Sequence, residues 1–136
     1  MKIEYWSHCF NDGINFKNLT FYSQNEENAE NIINKHSEDF RNLMIKMINK
    51  SSRNSLEDIY RWEISHDYDG EIKLTDDEII QEVLNYIKKY NFLEYKHSWF
   101  SFFELAKHLI SSHGKCNYCD TCEQCGDYNE SYEWNI

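Results

Sequence analysis

Residues 113–126 read HGKCNYCDTCEQCG, and four of the five cysteines, Cys116, Cys119, Cys122 and Cys125, fall here at a strict spacing of three. A Cys-x-x-Cys turn can aim two thiolates at one metal, and tetrahedral zinc takes four sulfur or nitrogen donors. Two such pairs in ten residues therefore predict a metal site, with structural zinc as the simplest occupant. Gly126 after the second pair resembles the turn of a zinc knuckle. Only Asp120 and Thr121 separate the pairs, whereas zinc ribbons leave a longer loop so that the pairs can face each other. His113 offers a way out as a ligand, since it lies at the final turn of an apolar helical stripe. Its alternative role is interaction with the helix dipole.

Two rivals compete for the cluster. The run Cys116-x-x-Cys119-x-x-Cys122 also suits three ligands of an iron–sulfur cluster, with Cys9 as the distant fourth. Against it, the next cysteine follows after two residues rather than three, with no proline behind it. A redox dithiol is the second rival, although such a pair usually sits at a helix N-terminus. Taken alone, Cys9 reads as a buried, inert thiol. His8 beside it would point to the opposite face of a strand and could not activate it.

Working outward, the stretch before the cysteines carries Trp99, Phe102, Phe103, Ala106, Leu109, Ile110 and His113 at steps of three and four, which predicts a helix. Gly114 stands where a left-handed cap would end it. Upstream, Thr75 and Glu78 form a capping box before a helix over roughly 76–90, with Ile79, Ile80, Val83, Leu84 and Ile87 on one face. A longer helix is predicted after a capping box of Ser23 and Glu26. Its stripe runs through Ala29, Ile32, Ile33, His36, Phe40, Leu43, Met44, Met47 and Ile48. Two hairpins complete the reading. One spans residues 1–22 about the turn Asn11-Asp12-Gly13. The other alternates through Tyr60, Trp62, Ile64 and His66, turns at Asp67–Gly70 and returns through Ile72 and Leu74. A connector through Phe92–Tyr95 leads into the last helix. The expected fold is one α+β domain over residues 1–136 in the order ββαββαα. It has a small antiparallel sheet of two hairpins packed with three helices. Residues 113–126 would be a zinc-binding segment and 127–136 an acidic, aromatic tail.

Composition narrows the function. The chain of 136 residues has a net charge of -10, no proline and four glycines. Residues 57–82 hold ten acids against Arg61 and Lys73, and residues 116–136 hold five acids and no base. Such a field repels phosphate backbones and attracts basic protein surfaces. A zinc knuckle that binds nucleic acid needs bases beside its aromatics, so direct nucleic-acid binding is not expected. No apolar run is long enough for a membrane span, and the N-terminus lacks the apolar core of a signal peptide. A cytoplasmic setting, with reduced cysteines, is the expectation. No nucleophile elbow, phosphate-binding glycine loop or His-Glu-x-x-His is present, so no enzymatic activity is expected.

The remaining reading is a protein that acts by protein–protein contact. Its carboxylates would replace phosphates as partners of Arg and Lys, and its rings would supply contact area. The contact residues expected are Asp67, Asp69, Glu71, Asp76 and Asp77, together with Tyr128, Glu130, Tyr132, Glu133 and Trp134. By analogy of composition alone, small acidic inhibitors of nucleases and of CRISPR effectors, and immunity proteins, use such surfaces. An inhibitor or modulator of a basic, nucleic-acid-handling partner is the first expectation. A redox protein with an iron–sulfur or dithiol centre and a regulatory subunit of a host complex are the alternatives.

Overall fold

The computed structural model describes residues 1–9, 11–22, 26–90 and 98–136. Its elements are β1 (Lys2–Ser7), β2 (Gly13–Phe16), β3 (Leu19–Tyr22), α1 (Glu26–Asn49), α2 (Arg53–Ile59), α3 (Asp76–Lys89), α4 (Ser98–His113), β4 (Lys115–Thr121) and β5 (Tyr128–Asn135). A π-helical turn, Tyr60–Ser65, continues α2. This is a mixed α+β fold with one antiparallel sheet of five strands in the order β3-β2-β1-β5-β4. Two compact units are formed, Met1–Ser37 with Phe92–Ile136, and Glu38–Asn91.

The first unit carries the sheet. Along β1, Ile3 and Tyr5 are buried while Lys2 and Glu4 face outward, the alternation of a strand with one covered face. Their cross-strand partners are Phe16 and Ile14 on β2, and Trp134 and Tyr132 on β5. The Tyr5 and Tyr132 rings stack with centroids 5.4 Å apart. From α4, Ala106, Leu109 and Ile110 are fully buried, and that helix packs against β1 and β5. Outside, the Lys2 ammonium pairs with Glu4 at 2.8 Å and Glu133 at 3.0 Å.

The expected strand from Ile14 to Tyr22 is in fact two strands. Phe16 and Leu19 pair across the two-residue loop Lys17-Asn18, whose φ values of 45° and 63° are both left-handed. That is the twist a two-residue hairpin requires, and asparagine tolerates it without glycine. Residues 127–136 are not a tail. Tyr128–Asn135 is β5, an interior strand held by β1 on one side and β4 on the other.

Gly114 is also not a left-handed cap, since Gly126 is the positive-φ glycine among the described residues. A Cβ on Gly114 would lie 2.5 Å from the carbonyl oxygens of Ile110 and Glu133. The glycine is needed for close approach of the α4 end to β5, not for backbone handedness.

The second unit is helical. The later part of α1 buries Phe40, Leu43, Met44, Met47 and Ile48, as its stripe predicts, and α3 buries Ile79, Val83, Leu84 and Ile87. The Thr75–Glu78 capping box is present, with both reciprocal hydrogen bonds. At the other end of α3 the Arg41 guanidinium donates to the carbonyls of Lys88 and Tyr90 at 2.8 and 2.7 Å, satisfying acceptors that the helix leaves open. Ser23, expected to cap α1, and the connector through Phe92–Tyr95 lie outside the described residues.

The second hairpin is not formed. Residues 59–65 are helical, and 71–75 carry no strand pairing. Burial there follows a helical step, with Leu56 and Ile59 buried, Tyr60 and Ile64 half-buried and Trp62 exposed. Local polar contacts set the helix start. The Ser52 hydroxyl accepts from Ser55 N–H, and Arg53 spans Glu57, Asp76 and the Leu74 carbonyl at 2.6–2.7 Å. The aromatic, β-branched composition of the stretch is overridden by this framework.

Candidate metal centre

The sheet and its β4–β5 turn gather three thiols. Cys9, Cys122 and Cys125 lie with their sulfurs within 4.8 Å of one another, close enough to hold a metal ion. Cys122 and Cys125 belong to the turn after β4. The Cys122 N–H donates to the Asp127 carbonyl at 2.8 Å, and the Gly126 N–H donates back to the Cys122 carbonyl at 2.9 Å. Gly126 takes φ +74° with open space about it, the left-handed step that closes such a knuckle. Backbone N–H groups of Gln124 and Cys125 point at Cys122 Sγ, and that of Asp127 at Cys125 Sγ. Amides so placed favour thiolates, the form in which cysteine binds metal.

Cys9 arrives from the end of β1. Its backbone is left-handed, φ 45°, which is uncommon for a residue with a side chain. Its N–H donates to Asn129 Oδ1 at 2.9 Å, and Asn129 is one of two buried polar residues among the described residues. The Cys125 thiol donates to Cys9 Sγ at 3.5 Å. Cys9 is exposed rather than buried. Two sulfurs on one tetrahedral zinc at 2.3 Å would stand about 3.8 Å apart, so this pair needs only a small adjustment.

Electrostatics divide the group. The Cys9 thiol, then the Cys125 and Gln124 amides, pull Cys122 down to about 7. For Cys125 the Asp127 amide favours the thiolate, but desolvation and the sulfurs of Cys122 and Cys9 win and push it up to about 12. Three close thiols cannot all ionise without a cation among them, because like charges oppose each other. A metal removes that conflict. Beside them, Asp127 hydrogen-bonds Cys125, while its Oδ2 is buried with no hydrogen-bond partner among the described residues. A buried carboxylate oxygen left so is costly, and a bound cation would satisfy it.

The other residues singled out from sequence lie elsewhere. Cys116 and Cys119 are on β4, separated by a bulge at Asn117. By their cross-strand partners Tyr132 and Glu130 they share the sheet face of Tyr5. Their sulfurs are 2.9 Å apart, nearly 1 Å closer than two zinc-bound thiolates would stand. His113 packs on Trp134 with ring centroids 5.2 Å apart, and its Nε2 is buried without a partner among the described residues. Burial, then the nearby His108, pulls the His113 pKa below its ordinary value. The five residues expected from spacing are therefore not one cluster. Cys9 completes the group that is brought together, and only its suggestion as a distant thiolate foreshadowed this.

The expected contact residues also separate. Asp67, Asp69, Glu71, Asp76 and Asp77 are all exposed. Asp67 accepts the Gly70 N–H at 3.0 Å, closing the turn, and Asp76 pairs with Arg53. Next to them Trp62 and Tyr68 are 63% and 51% exposed, with ring centroids 4.5 Å apart. Of the expected contact residues on β5, only Tyr128 is exposed. Glu130 is engaged with the Tyr5 hydroxyl, Tyr132 stacks on Tyr5, Glu133 pairs with Lys2 and Trp134 meets His113.

No helix among the described residues is long and apolar enough to cross a membrane. No family model, curated protein or solved structure matches this chain.

Proposed function

We propose that this chain is a non-enzymatic zinc protein that acts by contact with a basic protein partner. The convergence of Cys9, Cys122 and Cys125 carries the metal half of that reading. Zinc is favoured because the donors are cysteine sulfurs, two of which, Cys122 and Cys125, already receive backbone amide hydrogen bonds. Asp127, whose Oδ2 is buried without a partner among the described residues but lies outside the 4.8 Å group, would have to turn inward to serve as the fourth ligand. The ion would join the end of β1 to the β4–β5 turn, a structural rather than chemical role, since metal binding contributes directly to folding. Elemental analysis of the native protein with its absorption spectrum is the test. Stoichiometric zinc in a colourless protein is expected. Visible absorption with iron would overturn the zinc reading, although Cys116 and Cys119, two of the thiols an iron–sulfur cluster would need, lie outside this group.

The contact half rests on the Trp62–Tyr68 pair exposed among acids. Aromatic rings bordered by carboxylates suit Arg- and Lys-bearing surfaces, through charge and cation–π attraction. A partner that handles nucleic acid presents such a surface, and blocking it would make this chain an inhibitor or modulator. Reversing Asp69, Glu71 and Asp77 to lysine should weaken capture of such a partner. Unchanged binding to every basic partner tried would end that reading.

A further inference from the structure

We propose that Cys116 and Cys119 form a redox-active dithiol, separate from the metal centre, that closes to a disulfide. Their sulfurs stand 2.9 Å apart on an exposed edge strand. A disulfide bond is about 2.05 Å long, so closure needs a shift of less than 1 Å. The bulge at Asn117 makes this possible. In a regular strand, residues three apart point to opposite faces; the extra residue turns Cys119 back to the face of Cys116.

The two sulfurs have different surroundings. The Cys116 thiol and the hydroxyls of Tyr128 and Tyr132 direct hydrogen bonds to Cys119 Sγ, with the Tyr132 oxygen 3.7 Å away. This marks Cys119 as the attacking thiolate and Cys116 as the resolving thiol.

With oxidised glutathione as oxidant, the Cys119 thiolate attacks one sulfur of its disulfide. The S–S bond breaks, a Cys119–glutathione mixed disulfide forms and one glutathione thiolate leaves. Cys116 Sγ then attacks Cys119 Sγ and displaces the second glutathione. The two cysteines lose two electrons, glutathione disulfide gains them, and the two thiol protons end on the two glutathione molecules.

The test uses the protein as purified. It is equilibrated with oxidised and reduced glutathione at a series of ratios and trapped by alkylation, then read by peptide mass and metal content. Loss of two hydrogens in a Cys116–Cys119 cross-link, with Cys9, Cys122 and Cys125 uncross-linked, is expected. Cys116→Ser should instead accumulate one glutathione on Cys119. Alkylation of both Cys116 and Cys119 at every ratio overturns the proposal, as does cross-linking that falls on the other three cysteines instead. The wild-type arm decides the matter even if the variant does not fold.

Discussion

The two Cys-x-x-Cys pairs have the same spacing and are separated by two residues, yet they are different chemical objects. Cys122 and Cys125 sit in a turn whose amides point at their sulfurs, with Gly126 left-handed behind them. Cys116 and Cys119 sit on a bulged strand, with their sulfurs against each other and tyrosine hydroxyls around them. The first pair is open toward a third sulfur from β1, and the second is closed on itself. Spacing states how far apart two thiols can be, while the backbone conformation between them decides what they face.

The sharpest way to break this comparison is Cys122→Ser. It removes from the centre the thiol whose surroundings pull it down to about 7, and should lower zinc affinity by more than about 100-fold, beyond what loss of an outer-shell partner costs. Thermal melting with and without a chelator should then converge, because the metal no longer contributes to folding. Retained zinc and an unchanged melting temperature would put the metal elsewhere.

Asn129→Ala tests the positioning of Cys9 rather than the ligand set. Its loss leaves the Cys9 N–H without its acceptor, and an outer-shell loss of this kind costs about 10–100-fold in metal affinity. Competition with a chromogenic chelator measures it. No change would mean that the Cys9 backbone keeps its conformation unaided.

Gly126→Ala addresses the turn alone. An alanine finds open space there, so the expected penalty is the conformational one, about 1–2 kcal/mol for a left-handed residue with a Cβ, read by denaturant unfolding. A neutral result would show that the knuckle has another way to close. The smallest effect is expected from Cys116→Ser, which should leave zinc affinity unchanged while abolishing the Cys116–Cys119 cross-link. Loss of zinc in that variant would merge the two pairs into one site and undo the distinction.

Much of the helical framework was legible in the chain. The stripe of Phe40, Leu43, Met44, Met47 and Ile48 and the Thr75–Glu78 box are local patterns, read within a few turns of one helix. The stretch around Tyr60–His66 misled because aromatic and β-branched residues alternate there. Its actual conformation answers to Arg53, whose three contacts link α2 to Leu74 and Asp76. Lys17-Asn18 carries no turn signal, because it lacks the glycine by which two-residue turns are usually recognised.

For the centre, the residues alone show thiols concentrated after residue 115, a Gly126 that suits a knuckle and no bases around them. Which thiols meet depends on how distant segments pair. Cys9 reaches Cys125 because β5 inserts between β1 and β4, a pairing of chain segments more than a hundred residues apart. Local spacing holds no information about such a partner. The antiparallel register that seats Ser7 opposite Glu130, with Asn129 taking up the Cys9 N–H, places it there.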